Sequence, residues 1–258
     1  MNRMRSLAFI SFLFVLWLPS SGQKKEIPID PDLAANSNVY RVKSKAHSVG
    51  KMPKYRFGPF KVLTSKSGWT KTSRTSKIWS SKAETLSENK FSFVLFNGQS
   101  DTATVNALSI IVSTYTKSTE LLSSDRFSFS VGEDALVNGT ELFTASINTS
   151  FDPADDWVLR IEATEDETRY QEVKTVLENG ERIIALKHVN SPYADENGGS
   201  RYPALGYEFT ENGIPLGAVK YFPGMIGYKN VWFRSTLDER TKLLISAASA
   251  TILHLKGD

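Results

Sequence analysis

The best candidate for a metal site is a group of three aspartates within five residues. Asp152, Asp155 and Asp156 lie in the segment Phe151-Asp-Pro-Ala-Asp-Asp-Trp157. Carboxylates clustered on a loop suit a hard cation such as Ca²⁺, which takes oxygen ligands. Their spacing differs from that of an EF-hand loop, and a surface turn capped by an aspartate would use the same residues. The segment therefore predicts either a calcium site or a plain turn, and no other cofactor is expected.

Catalytic chemistry has weaker support in the sequence. A second acidic run could supply the paired carboxylates of a glycoside hydrolase; it contains Glu162, Glu165, Asp166 and Glu167. A Ser/His/Asp arrangement would need His47 or His188 as its base, whereas His254 falls in an apolar segment and is expected in the core. The sequence contains no Gly-x-Ser-x-Gly, His-Glu-x-x-His or P-loop motif. This favours a non-enzymatic binding protein, with a hydrolase that uses the acidic loops as the alternative.

Two segments are candidates for ligand binding. The first is the long polar loop 190–203, since binding residues often lie on loops over a rigid scaffold; its candidates are Tyr193, Asp195, Glu196, Arg201 and Tyr202. The second is the Ser/Thr/Lys-rich stretch around Trp69 and Trp79. Exposed tryptophans there could stack on sugars or lie at a lipid interface, or the rings could instead close the ends of a barrel.

The first residues have the three parts of a secretory signal peptide. Arg3 and Arg5 precede an apolar run at residues 7–18, and Ser20 and Gly22 have the spacing read by signal peptidase. A membrane-spanning helix needs about 20 apolar residues, more than this run supplies. The sequence therefore predicts cleavage before Gln23 and a mature protein that is secreted or periplasmic.

Composition limits the remaining function classes. The sequence contains no Cys, which excludes disulfides, Cys-ligated zinc and a thiol nucleophile. Loss of the two arginines of the signal peptide lowers the net charge from +3 to +1, so nucleic acid is not an expected partner. The charge is uneven, since residues 41–82 are basic and residues 133–181 are mostly acidic. These are either two solvated faces or the poles of a molecule that attracts an oriented partner.

The pattern of elements predicts a mainly β fold. Residues 23–38, with Pro28 and Pro31, are expected to be a linker before a single domain at 39–258. About twelve strand-like segments follow, several of them joined at Asn-Gly pairs typical of hairpins; these are Asn97-Gly98, Asn179-Gly180 and Asn212-Gly213. Their short, regular spacing favours an antiparallel barrel or sandwich.

One helix is predicted, at residues 237–256. Thr236 and Glu239 match a capping box at its start. Residues 243–255 are apolar or small almost all round, and a helix of that kind is buried on every side. A barrel interior or a deep groove between two sheets would bury it.

About twelve antiparallel strands followed by this apolar helix resemble the tubby and phospholipid-scramblase-like fold. The resemblance covers residues 39–256 and rests on the order of elements and on the helix 237–256. It implies a closed barrel around its own last helix. It also implies a role at membranes, so a lipid- or membrane-surface-associated protein is a further alternative, although fold alone does not determine function.

Overall fold

The computed structural model describes residues 28–45, 52–75, 82–116, 119–124, 127–131, 135–166, 170–189, 205–222 and 228–256. Its elements follow one another in the order α1 (Pro31–Ala35), β1 (Ser37–Arg41), β2 (Lys43–Lys45), β3 (Lys54–Phe57), β4 (Phe60–Ser67), β5 (Lys71–Thr75), β6 (Lys82–Phe96), β7 (Thr102–Thr116), β8 (Thr119–Ser124), β9 (Phe127–Val131), β10 (Ala135–Thr149), β11 (Asp152–Asp166), β12 (Tyr170–Glu178), β13 (Ile183–Val189), β14 (Gly206–Glu211), β15 (Ile214–Lys220), β16 (Asn230–Arg234) and α2 (Glu239–Lys256). The prediction of a mainly β fold with one C-terminal helix is confirmed.

The large sheet is antiparallel and curls into a nearly closed barrel. Its strand order is β1-β16-β15-β14-β13-β12-β11-β10-β7-β6-β4-β3-β2, and β5 pairs with β6 beside that path. β1 and β2 are successive parts of one extended segment, so residues 37–45 pair with β16 at one edge of the sheet and with β3 at the other. Between them the backbone N–H of Val42 donates to the carbonyl oxygen of Lys229 at 2.8 Å. This segment pairs with both ends of the strand order and leaves the barrel nearly closed, so that few exposed sheet edges remain.

The Asn-Gly pairs form the predicted hairpin turns. Asn212 and Gly213 have φ angles of 51° and 79°, as a two-residue type I′ turn requires. In the longer turn after β6 the side-chain oxygen of Asn97 accepts the backbone N–H of Asp101 at 3.1 Å. The sequence pattern of residues 55–63 predicts one strand with a bulge or kink at Gly58-Pro59, and this prediction is wrong, because these two residues form the turn between β3 and β4.

Helix α2 is buried on all sides, as predicted. Twelve of its residues are buried, including every residue from Leu243 to Leu253, and it contacts β7, β10 and β15. The predicted capping box is wrong, because the helix begins two residues later than expected. The carboxylate of Asp238 caps it by accepting the backbone N–H of Thr241 at 2.9 Å.

Residues 30–36 pack against the outside of the barrel, within the range expected to be a linker. The short helix α1 is capped by Asp30, whose carboxylate accepts the backbone N–H of Asp32 at 2.8 Å. Leu33 is fully buried and belongs to a small cluster with Val189, Ala218 and Trp232. This cluster is a second apolar layer on the outer face of β13, β15 and β16.

At Gly217 the backbone of β15 approaches both the neighbouring strand β16 and the helix α2 closely. A Cβ at this position would lie 2.6 Å from the carbonyl oxygen of Trp232 on β16 and 3.5 Å from Cγ2 of Ile245 on α2. We expect Gly217→Ala to destabilise the fold by about 2 kcal/mol through overpacking, lowering Tm by roughly 4 to 8 °C. The control is Gly139→Ala, where the nearest atom lies at 3.5 Å. Equal melting temperatures for the two variants would contradict the close approach.

Candidate binding site

Several of the predicted site residues fall outside the described residues. They are the loop residues Tyr193, Asp195, Glu196, Arg201 and Tyr202 and the second tryptophan Trp79. Residues 1–22, predicted to be a signal peptide, also lie outside the described residues. Trp69 is described, and its side chain is 80% exposed. Among the predicted ligand-binding residues, Trp69 is therefore the one that the structure describes.

The aspartate group lies on a strand and not on the predicted loop, because the chain turns earlier, at Ser150-Phe151, and Asp152 begins β11. The carboxylate of Asp155 accepts hydrogen bonds from Nε1 of Trp157 at 2.8 Å and Nδ2 of Asn179 at 2.6 Å. That of Asp156 accepts one from Oγ of Ser146 at 2.7 Å. Across the described part of the chain, no group of three or more His, Cys, Asp or Glu is placed to hold a metal ion. Calcium binding here stays a prediction.

Trp69 lies where the chain leaves β4 and before it pairs again as β5. Both strands pair with β6, and Gly68 stays attached there because its backbone N–H donates to the carbonyl oxygen of Lys90 at 2.6 Å. Residues 68–70 have no strand conformation of their own. The interruption therefore places the indole of Trp69 on the outside of the barrel, against water.

An open cleft of ≈ 580 Å³ lies on the outer face of β4, β6, β7 and β10, and Gly68, the residue before Trp69, is among the residues that line it. Strand register builds its floor, because Lys66 lies opposite Ser92, Ser92 opposite Asn106, and Asn106 opposite Ser146. Side chains of one face alternate along each strand, so these four polar groups form a continuous row. Lys90 and Thr144 flank the row along the same strands.

The exposed surface of the cleft is mostly apolar, and hydroxyl, amide and lysine groups are set along it. Its hydroxyl and amide groups can each donate and accept, and each lysine can donate three hydrogen bonds. In the part of the chain that the structure describes, neither Lys66 nor Lys90 has a carboxylate within 4.0 Å. The cleft therefore suits a ligand that carries many hydroxyl groups together with acidic groups.

A separate polar cluster lies inside the barrel at the C-terminal end of α2. The carboxylate of Glu172 is 3% exposed and accepts hydrogen bonds from Nε2 of His188 at 2.7 Å and from the hydroxyl of Tyr207 at 2.7 Å. Nζ of Lys256 lies 3.6 Å from Glu172 and 3.0 Å from Glu141. We call these five residues the internal network; they join β10, β12, β13 and β14 to the end of the helix.

A β-bulge at Val173 aims Glu172 into the barrel. Lys174 lies opposite Glu162, but Glu172 and not Val173 lies opposite the buried Ala163. The extra residue reverses the alternation, so Val173 is exposed and Glu172 points inward. The sequence pattern missed this site, since regular alternation from the buried Leu177 would have turned Val173 inward.

The network keeps Glu172 ionised. Burial alone would raise the pKa of Glu172, but the hydrogen bond from His188, the charge of Lys256 and the hydrogen bond from Tyr207 outweigh burial and lower it. Burial and the negative charge of Glu172 in turn raise the pKa of the neighbouring Tyr221 hydroxyl. The general acid of a glycoside hydrolase is a carboxylic acid that stays protonated near neutral pH. Glu172 is therefore better suited to neutralising Lys256 and orienting His188 than to acting as a general acid.

None of the helices in the described residues combines the length and the apolar character needed to cross a membrane. The chain matches no protein-family model, no curated protein and no solved structure.

Proposed function

We propose that the protein is a non-enzymatic binding protein that acts outside the cytoplasm and holds a carbohydrate in the cleft beside Trp69. The observation that carries the proposal is a highly exposed indole that directly follows Gly68, a lining residue of the cleft that contains the row of polar side chains. An indole presents a flat apolar surface to the C–H faces of a sugar ring. The row Lys66, Ser92, Asn106 and Ser146 supplies the donors and acceptors that sugar hydroxyls require.

Because the interior of the barrel is filled, a ligand-binding site is expected on its outside. Many small-ligand barrels bind their ligand inside, but here α2 occupies the interior with twelve buried residues. A ligand would therefore meet the outer face or the ends of the barrel. An extracellular location is supported by the signal-like segment 1–22.

Trp69→Ala tests the site. We expect carbohydrate affinity, measured by titration calorimetry against soluble oligosaccharides and polysaccharides, to fall by about tenfold or more, because losing a stacked aromatic surface removes about 1.5 kcal/mol or more. Trp69→Phe should retain most of the binding. Tm should stay unchanged in both variants, because the side chain is exposed.

The matched control is Ile214→Ala, which also shortens an exposed apolar side chain but lies at the β14–β15 turn. We expect this variant to bind like the unaltered protein. If Trp69→Ala also bound like the unaltered protein, the cleft would not be the carbohydrate site.

A further inference from the structure

Five cations lie directly opposite one another on the outer face of β2, β3 and β4. Lys43 is opposite Arg56, and Arg56 is opposite Lys61, which gives a row across three strands. Lys45 is opposite Lys54 in a second row. All five side chains are exposed, and we call them the cation grid.

The cation grid lowers the stability of the folded sheet. Like charges directly opposite each other across a strand pair repel and destabilise the sheet. The inward-facing residues between them are core residues, among them Tyr55, Phe57 and Phe60. Within the described ranges no carboxylate lies within 4.0 Å of any grid cation. The sheet therefore carries an uncompensated positive surface that its own packing does not require, and an external polyanion would neutralise it.

The grid and the cleft lie on the same side of the barrel and share β4. Lys61 lies opposite Phe96 and Lys66 lies opposite Ser92. These positions are four residues apart on β6, or about 13 Å at the rise of a β-strand. From Lys66 the positive surface continues to Lys90 at the cleft. One extended ligand could thus touch the Trp69 cleft and the cation grid together.

We propose that the ligand of this face is an acidic polysaccharide whose sugar rings occupy the cleft and whose carboxylate groups lie along the grid. This inference rests on the proposed carbohydrate function and adds the charge of the polymer. A polymer chain can enter a concave cleft and follow the convex outer face of a barrel. A planar membrane cannot enter the cleft.

The experiment compares polygalacturonate with its methyl-esterified form, which has the same backbone without the charges. The triple variant Lys43→Gln, Arg56→Gln, Lys61→Gln should bind polygalacturonate about tenfold or more weakly, with a smaller salt dependence, because fewer counterions are exchanged. Binding of the esterified polymer should be weaker, unaffected by the triple variant and sensitive to Trp69→Ala. The Tm of the triple variant should stay the same or rise, since repulsion is removed.

The other outcomes separate the two proposals. Equal affinity for both polymers, with sensitivity to Trp69→Ala, would overturn the acidic ligand and leave the carbohydrate site standing. Stronger binding to vesicles containing phosphatidylserine, or to a short DNA duplex, would overturn the polysaccharide. Failure to bind either polymer would overturn the acidic ligand, while binding of neutral oligosaccharides alone would still support the cleft.

Discussion

Ala248→Asp is expected to leave the domain unfolded. Ala248 is fully buried in the middle of α2, on the helix face that also carries the buried Leu244, Ile245 and Ile252. An unpaired carboxylate there costs several kcal/mol, which is comparable with the whole stability of a domain. The measurement is soluble yield together with thermal unfolding followed by circular dichroism.

Two further variants sharpen this test. Ala34→Asp adds the same charge at an exposed position of α1, and its effect should stay below about 1 kcal/mol. Ala248→Leu keeps the site apolar and should destabilise by about 1 to 3 kcal/mol through overpacking. If deletion of residues 237–258 left a soluble protein with a cooperative transition near the original Tm, α2 would not be the core.

Glu172→Gln is expected to have the second large effect, a loss of about 3 kcal/mol at neutral pH. The amide retains the size of the side chain and one acceptor oxygen, but it leaves the ammonium group of Lys256 without its full compensating charge. Breaking a buried ion pair from one side costs about 3 to 5 kcal/mol. Urea unfolding at neutral pH measures the difference, and Glu162→Gln on the neighbouring strand, where the carboxylate is 38% exposed, should change stability by less than about 0.5 kcal/mol.

The effect of Glu172→Gln should disappear in acid. The pKa of Glu172 in the folded protein is below its ordinary value, so the anion stabilises the fold above that ordinary value and loses this contribution as pH falls through the folded pKa. His188, Tyr207, Tyr221, Glu141 and Lys256 surround the carboxylate and are the same in both proteins. The stability difference between the two proteins should therefore be largest at neutral pH and narrow steadily below about pH 4.5. A difference that does not change with pH would show that the charge of Glu172 is not what stabilises the network.

The local sequence pattern predicted which strands and helices form better than it predicted where they begin and end. Phe91, Phe93 and Leu95 alternate with outward residues, and this alternation identified β6. The same strand continues back to Lys82 through a polar stretch without apolar alternation, so its 15-residue length was not predicted. Burial of α2 could be predicted because its residues are apolar or small on every face. The turn at Gly58-Pro59 was misread because a two-residue turn and a bulge use the same residue types.

The candidate sites depend on register, which one sequence does not reveal. Trp69 stood out by its type in a polar segment. The row from Lys66 to Ser146 and the opposed Lys43, Arg56 and Lys61 become visible only when strands distant in sequence are aligned. The inward position of Glu172 was not predicted, because the β-bulge at Val173 reverses which side chains of β12 face the interior.

The closure of the barrel by residues 37–45 has a kinetic consequence. Ser37 pairs with Arg234, so the first strand of the domain finds its partner only after almost all of the domain has been synthesised. Topologies with such distant contacts fold slowly, because the long loop must be ordered before its contacts form. A nascent chain arrested before α2 would display the apolar inner faces of its strands. Closure of the barrel therefore waits until β16 has been synthesised, and until then the inner faces lack a complete core to pack against.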